Sequence, residues 1–316
     1  MKIIPFPKEG RWRSFSQALR EEFGGKVHKV TLDAGFTCPN RDGTLARGGC
    51  IYCNNDGFRT PFHFKSLEEQ LTLGMERIRK TQGADRFLAY FQAYTNTYGR
   101  SLEELESLYQ IALCRKEVVA LAIGTRPDTV PEPVLDLLER LARQRPIWIE
   151  YGLESAGNET LRRLHRGHTV EQFVDAVQRT QARDCFRICA HLIFGLPWQS
   201  KEERQESIRL VGALGIDDIK IHNIHVVRGT VLEKMYQNGE FVPMSLENYV
   251  QEVADSLERL PSRMVIQRLT GEAPSEVLVA PDWCRHKQKV VQAIHVELER
   301  RGTFQGVYFK ARVSTM

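Results

Sequence analysis

The chain has 316 residues, enough for one large α/β domain with an extension or for two domains. A hydrophobic fraction of 42% supports a sizeable core and excludes a disordered chain, and a net charge of +4 does not by itself imply a nucleic-acid partner. The first residues mix Lys, Glu, Arg and Pro without the apolar run of a signal peptide, and no stretch approaches the length that crosses a bilayer, so a cytoplasmic location is expected.

A basic, Pro-containing lead-in over 1–25 precedes an alternating stretch, 26–32, that suits a strand. A cysteine-rich loop follows, then a helix over 66–81 with Ser66 as N-cap and Glu69 at the capping-box position. From there strand and helix patterns alternate. Strands are expected at 87–91, 118–123, 147–152, 187–194 and 219–226, with helices at 102–114, 131–144, 170–183 and 201–214 between them. This order implies parallel strands joined by crossover helices, an α/β sheet of about six β/α units, fewer than the eight of a closed barrel. Around Arg228 the pattern changes to a helix near 246–260, a strand near 264–269 and a long helix near 286–301. The expected organisation is a β/α array over 26–228 and an α+β C-terminal extension over 229–316.

Of the seven cysteines, three lie within sixteen residues, in Cys38-Pro-Asn-Arg-Asp-Gly-Thr-Leu-Ala-Arg-Gly-Gly-Cys50-Ile-Tyr-Cys53. In a reducing compartment such clustering points to metal binding or catalysis rather than disulfides. Thiolates are the natural ligands of iron–sulfur clusters and of zinc. A [4Fe–4S] cube needs four ligands and the loop supplies three, which leaves one iron open to a small molecule. Gly43, Gly48 and Gly49 give the backbone freedom to wrap closely. A structural zinc site with His63 as the fourth ligand, or accidental clustering, would use the same cysteines, and the spacing alone leaves these readings open. Cys185 and Cys189 are expected as buried strand residues, and Cys114 on an apolar helix face.

The loop, its place after the first strand and Tyr52 between the last two cysteines resemble the radical S-adenosylmethionine (SAM) superfamily. Eleven residues separate the first two cysteines, where that superfamily usually has three. The wider spacing resembles an uncharacterised bacterial branch related to the catalytic subunit of Elongator, and the likeness runs over nearly the whole chain. Later motifs agree, each at an expected strand end: Gly124-Thr-Arg-Pro-Asp128, Glu150-Tyr-Gly-Leu-Glu-Ser155 (resembling Gly-x-Gln-Ser, with Glu154 in place of Gln) and His191-Leu-Ile-Phe-Gly-Leu-Pro-Trp-Gln-Ser200. Active sites of parallel β/α barrels gather at these ends.

The resemblance implies a partial (β/α)6 radical SAM barrel with a C-terminal α+β extension. It also implies a [4Fe–4S] cluster on Cys38, Cys50 and Cys53 that cleaves SAM to a 5′-deoxyadenosyl radical. Tyr52 is then expected beside the cluster and the adenine, Gln92 and Tyr94 near the methionyl amine, and Glu154 at the ribose hydroxyls. Arg166 would pair with the methionyl carboxylate through its planar fork, and Phe194, Gly195 and Leu196 would wall the adenine. His191 and the segment 220–225 point toward substrate by position only, and Cys284 is a further candidate to approach the site.

The favoured substrate is tRNA, at a uridine near the anticodon, with an electron donor such as flavodoxin or ferredoxin. The chain's ends are more basic than its middle: Met1–Val30 carries seven Lys/Arg against three Glu, and Trp283–Met316 seven against two. Trp12, Phe15, Trp283 and Tyr308 are candidates to stack on exposed bases. The competing readings are a radical SAM enzyme of a small metabolite or peptide, and a zinc-bearing, non-catalytic nucleic-acid-binding protein.

Overall fold

A computed structural model describes residues 10–54 and 59–310. Its strands are β1 (Val27–Leu32), β2 (Arg86–Phe91), β3 (Val118–Thr125), β4 (Ile147–Glu154), β5 (Phe186–Phe194), β6 (Asp218–Asn223), β7 (Val226–Val227), β8 (Val265–Arg268) and β9 (Leu278–Ala280). Its α-helices are α1 (Phe15–Phe23), α2 (Leu67–Gln82), α3 (Leu102–Leu113), α4 (Glu132–Ala142), α5 (Asn158–Arg163), α6 (Val170–Gln181), α7 (Lys201–Ala213), α8 (Val231–Gln237), α9 (Leu246–Arg259) and α10 (Lys287–Arg301). Seven strands form one parallel sheet, curled into a half-barrel, in the order β1-β2-β3-β4-β5-β6-β8, and β7 and β9 form a small antiparallel pair beside it.

The crossover helices begin where the side chains supply hydrogen-bond acceptors. Ser66, Ser101 and Thr169 each close a capping box, accepting from the backbone N–H of Glu69, Glu104 and Gln172 in turn. Each box satisfies backbone donors that the first helical turn leaves without an intrahelical partner. The helices present their apolar faces to the sheet's outer surface.

The sheet divides its side chains by the pleat. On β4, Ile147, Ile149, Tyr151 and Leu153 face outward into the main core with the helices, and Trp148 and Glu150 alternate with them on the inner face. Both faces are buried, as parallel strands require. At one end of the barrel the inner face is apolar: Leu88, Ala120 and Trp148 pack against Leu19 of α1, and Phe15 meets the Trp148 ring edge-on at 6.3 Å. Residues 1–25, read from sequence as a lead-in, thus contain a helix that plugs the half-barrel.

The described part of the C-terminal segment, 229–310, is woven into the same sheet. β8 pairs in parallel with β6, Asp218 opposite Val265 and Ile219 opposite Ile266, so the six expected strands become seven. The Ile266 N–H donates to the Arg13 carbonyl at 2.8 Å. The Gln305 side chain accepts from the Arg13 N–H at 2.9 Å and donates to the carbonyls of Pro261 and Met264 at 2.7 and 2.8 Å. Arg13 and Gln305, 292 positions apart, therefore meet beside the sheet's last strand.

Two cysteine expectations are corrected. Cys185 is exposed in the turn before β5, because the strand starts one residue later, and Cys114 is exposed at the C-cap of α3, where the helix leaves the core. Cys189 is buried in β5, as expected.

A chain ending at residue 228 should not fold as a stable unit. It loses β8 and the buried Tyr249, Val253, Leu257, Ile294 and Leu298. At roughly 1.5–3 kcal/mol for each apolar side chain, the loss approaches the whole stability of a domain, about 5–15 kcal/mol. Circular dichroism and urea unfolding of the truncated chain should show no cooperative transition, while the full chain shows one.

Candidate active site

A pocket opens at the C-terminal ends of the strands, where the cysteine loop, the ends of β2 to β6 and the end of β8 converge. Cys38, Cys50 and Cys53 all line it. Cys50 is buried and the other two are half-buried, and all three are free thiols. The loop is tied down by Asn40, whose Nδ2 donates to the carbonyls of His165 and Arg166 at 2.7 Å each and lies 3.6 Å from Cys50 Sγ. Arg41 Nη1 approaches Cys53 Sγ, and Arg166 Nη1 approaches Cys50 Sγ, both at 4.0 Å. Gly43, Gly48 and Gly49 adopt φ of +99°, +88° and +83°, the left-handed conformations expected of them.

These residues fit an iron–sulfur cluster. Burial, then the neighbouring Cys50 thiol, pushes the Cys53 thiol up to about 11 despite the Arg41 guanidinium. A thiol held in that state becomes an anionic ligand when a metal cation supplies the charge in place of the proton. Asn40 Oδ1 and Arg166 Nε are buried beside the thiols without a hydrogen-bond partner. His63 does not complete a zinc tetrad: it is exposed, lies outside the pocket wall and places Nδ1 2.9 Å from the Thr60 carbonyl.

Next to the cysteines, Arg166 and Glu154 form an ion pair of 3.1 Å, both largely buried. Burial outweighs the Arg166 and Arg126 guanidiniums and raises the Glu154 carboxyl. Gly152 makes the close approach possible, since a Cβ there would lie 2.4 Å from Arg166 Nη2 and 2.5 Å from Glu154 Oε1. The loop carrying Arg166 is held from below by the Arg-Pro-Asp motif. Arg126 grips Asp128 bidentately, at 2.9 and 2.8 Å, and donates Nη1 to the Arg166 carbonyl at 2.6 Å. Tyr52, Gln92 and Tyr94 line the same pocket. Burial, then Glu154, raises the Tyr52 phenol well above its usual range, so it stays protonated.

The inner face deeper in the pocket is a charged floor. The Glu150 carboxylate accepts from Lys220 Nζ, from His191 Nε2 at 3.0 Å and from Lys29 Nζ at 3.5 Å. Lys220 Nζ also donates to the Tyr90 hydroxyl at 3.1 Å. Burial opposes the Glu150 charge, but the Lys220 and Lys29 ammoniums outweigh it and hold the carboxyl well below its usual range. Burial, then the Lys220 charge, pushes His191 down to about 4, so its imidazole is neutral. Glu150, Cys189 and His191 place ligand atoms within 4.8 Å of one another. The Lys220 ammonium already supplies the counter-charge there. Sequence position alone points to His191 and the Lys220 segment. Glu150, Tyr90 and Arg268 were missed, although a charged residue alternating with Ile and Trp on an apolar strand was the available signal.

Three expected wall residues are corrected. Phe194 faces the outer helices, Gly195 lies against Met244, and Leu196 packs with Ile51, Leu164 and Ile224 in a smaller apolar cluster. Ile193, of opposite parity to Phe194 on β5, and Ile224 line the pocket instead. Cys284 is fully buried outside the wall, with Sγ 2.9 Å from the Pro281 carbonyl.

The sequence model of the Radical SAM superfamily matches residues 38–211, more than half of the chain, and that of the Radical_SAM C-terminal domain matches 216–300. The chain belongs to the radical SAM superfamily. It is an enzyme of this class, with a [4Fe–4S] cluster and SAM as cofactors. It is 37% identical to the uncharacterized Bacillus subtilis protein YtqA over 98% of this chain and 97% of that one, and 37% identical to Escherichia coli YhcC over 93% of each. The tRNA uridine(34) acetyltransferase of Methanocaldococcus infernus is 28% identical over 64% of this chain, which spans 37% of that protein. Among solved structures, Methanocaldococcus infernus Elp3 superposes with a TM-score of 0.66 at 21% identity, covering 88% of this chain and 64% of that one. Methylornithine synthase (PylB) superposes with a TM-score of 0.53 at 13% identity, covering 92% of this chain and 86% of that one. These two likenesses concern the fold.

Glu150→Gln should destabilise the protein by about 1–3 kcal/mol: burial already draws Lys220 down to about 7, and without the Glu150 carboxylate the amine sheds its proton and stays buried with its best acceptor gone. Urea unfolding would measure the loss. The double variant Glu150→Gln/Lys220→Met should lose less than the single one.

Proposed function

We propose that this radical SAM enzyme carries its cluster on Cys38, Cys50 and Cys53 and modifies tRNA at a uridine near the anticodon. The observation that carries the cluster assignment is the convergence of the three free thiols on one pocket wall, with guanidinium groups close to two of the sulfurs. Held on these thiols, the cluster would supply one electron for reductive cleavage of SAM to methionine and a 5′-deoxyadenosyl radical, which would oxidise a substrate C–H bond. An external donor such as flavodoxin or ferredoxin would deliver that electron.

The protein's part is to orient and enclose. Arg166, tied to Glu154 and the Gly152 carbonyl, offers its fork to the methionyl carboxylate. Glu154 serves the ribose hydroxyls, Tyr52 flanks the adenine, and Gln92 and Tyr94 flank the amine. A positive φ at Tyr94 and Glu154, +64° and +67°, turns the backbone at the ends of β2 and β4 where these contacts are needed.

The tRNA reading is supported by the relatives whose names specify tRNA uridine(34) and by the likeness to Elp3. The basic ends support it less than their composition suggests. Arg13, Arg285, Lys287, Arg300 and Arg301 are all ion-paired, and Lys2, Lys8 and Arg312 lie outside the described residues. Of the four aromatics, Tyr308 is exposed, whereas Trp12, Phe15 and Trp283 pack against His295, Trp148 and Tyr249. A better platform is Trp198, exposed in the loop after β5 with the Arg163 guanidinium 4.6 Å from its ring centroid. Stacking of a base on such a ring contributes about 1–3 kcal/mol.

Four expected outcomes test this reading. Anaerobic reconstitution should load about four irons; the triple variant of Cys38, Cys50 and Cys53 to Ala should load none, and Cys114→Ala should load the full set. Arg166→Ala and Glu154→Gln should keep the iron and weaken SAM binding about ten- to a hundred-fold by calorimetry, the loss of one charge-assisted hydrogen bond. Binding of total tRNA should fall steeply with salt, and Trp198→Ala should weaken it further at every salt concentration. Modified nucleosides of total tRNA should differ between a deletion strain and its parent. An unaltered profile together with salt-independent binding moves the substrate to a small molecule.

A further inference from the structure

The pocket wall holds a cation that no carboxylate among the described residues pairs with. Arg268 ends β8 and lines the pocket, and among the described residues its guanidinium makes no hydrogen bond or ion pair. The carboxylates around it are already engaged. Glu150 is held by Lys220, Lys29 and His191, and Glu272 pairs with Lys287 at 2.9 Å. The histidines beside Arg268 add donors without adding charge. Burial, then the Arg268 guanidinium, pushes His222 well below its usual range, and burial holds His225 at about 4. His222 Nε2 is buried without a hydrogen-bond partner, and its ring packs on His191 at 5.6 Å.

This corner is built rather than incidental. Thr270 Oγ1 and the Gly271 N–H both donate to Asn223 Oδ1 at 2.9 Å, which fastens the chain after β8 to the end of β6. Gly271 sits so close to the two rings that a Cβ there would lie 2.7 Å from His225 Cε1 and 3.2 Å from His222 Nδ1. A partly desolvated guanidinium fork beside an uncommitted imidazole matches the planar, divided charge of an oxyanion.

We propose that Arg268 and His222 form an oxyanion site that holds a phosphate or carboxylate group of the substrate. The inference rests on the reading that this pocket takes the substrate. Charge selects the group: Lys29, Lys220 and Arg268 outnumber the Glu150 carboxylate they surround, and Glu272 is paired with Lys287, so the corner is net positive. The residue that supplies it belongs to the C-terminal segment, so the extension contributes specificity as well as a strand.

Calorimetry on the full-length, anaerobically reconstituted protein tests the site with inorganic phosphate, acetate and uridine 5′-monophosphate as probes. Wild type should bind at least one of these anions. Arg268→Gln should weaken that binding at least ten-fold, His222→Phe several-fold, and the remote Arg300→Gln not at all. Tighter phosphate and nucleotide binding identifies a phosphate as the group, and tighter acetate binding identifies a carboxylate. Should Arg268→Gln fail to fold, Arg268→Lys keeps the charge without the fork and should still weaken binding. Wild-type affinity in the folded Arg268 variant, or no anion binding by the wild type, overturns the proposal. The nucleoside profile remains a separate measure: Arg268-dependent anion binding with an unaltered profile would sink the tRNA reading alone, and Arg268-independent binding with an altered profile would sink the oxyanion site alone.

Discussion

The two-residue repeat of the parallel strands is the constraint on which everything else in this protein depends. Each strand must send alternate side chains to opposite faces, and both faces of the curled sheet are enclosed. Outward positions become uniformly apolar because the crossover helices cover them. Inward positions have no helix to meet and fill a narrow space whose walls are the strands themselves. At one end α1 closes that space with Leu19 against Leu88, Ala120 and Trp148. At the other end the space opens to the pocket, and the same inward register delivers Tyr90, Glu150, His191 and His222 to its wall, with Lys220 bound to Glu150.

Charges placed there must compensate one another, because burial penalises each alone. Glu150 is the hub: it lies on the central strand and gathers Lys29 from the first, His191 from the fifth and Lys220 from the sixth. The cysteine loop obeys the same rule at the pocket's rim. Its thiols sit under Arg41 and Arg166, and Arg166 is balanced by Glu154. The Arg126–Asp128 clamp fixes the carbonyl of Arg166, so the third strand's end supports a residue forty positions later in the chain. Where the matching stops, at Arg268, the protein leaves a site for a charge it does not itself provide.

The ends of the chain take part in this arrangement. α1 precedes the first strand yet plugs the barrel, and β8 comes from the C-terminal segment yet extends the sheet beyond β6. Arg13 and Gln305 join the two ends across the last strand. The boundary near residue 228 marks a change in sequence pattern. It does not separate the packing, since the sheet, the pocket wall and the hydrogen bonds all cross it.

The sequence by itself determined the family, the parallel β/α order, the helix starts and the three thiols, because each is written locally. A capping box needs four consecutive positions, as Ser66 to Glu69 show, a strand needs a run of apolar residues, and the cysteine loop is continuous in the chain. Tyr52, Gln92, Tyr94, Glu154 and Arg166, named from sequence, line one pocket because the ends of parallel strands share one edge. What only the tertiary structure decided is which way each side chain points and what it meets. Phe194 and Leu196 turn away although Ile193 does not, because strand parity is set by pairing with neighbours. His63 stays outside, and Cys284 is sealed behind the wall. Glu150 and Lys220 find each other across seventy residues. Such a pairing has no local signature, because it exists only once the sheet has curled and removed the water that would otherwise solvate each charge.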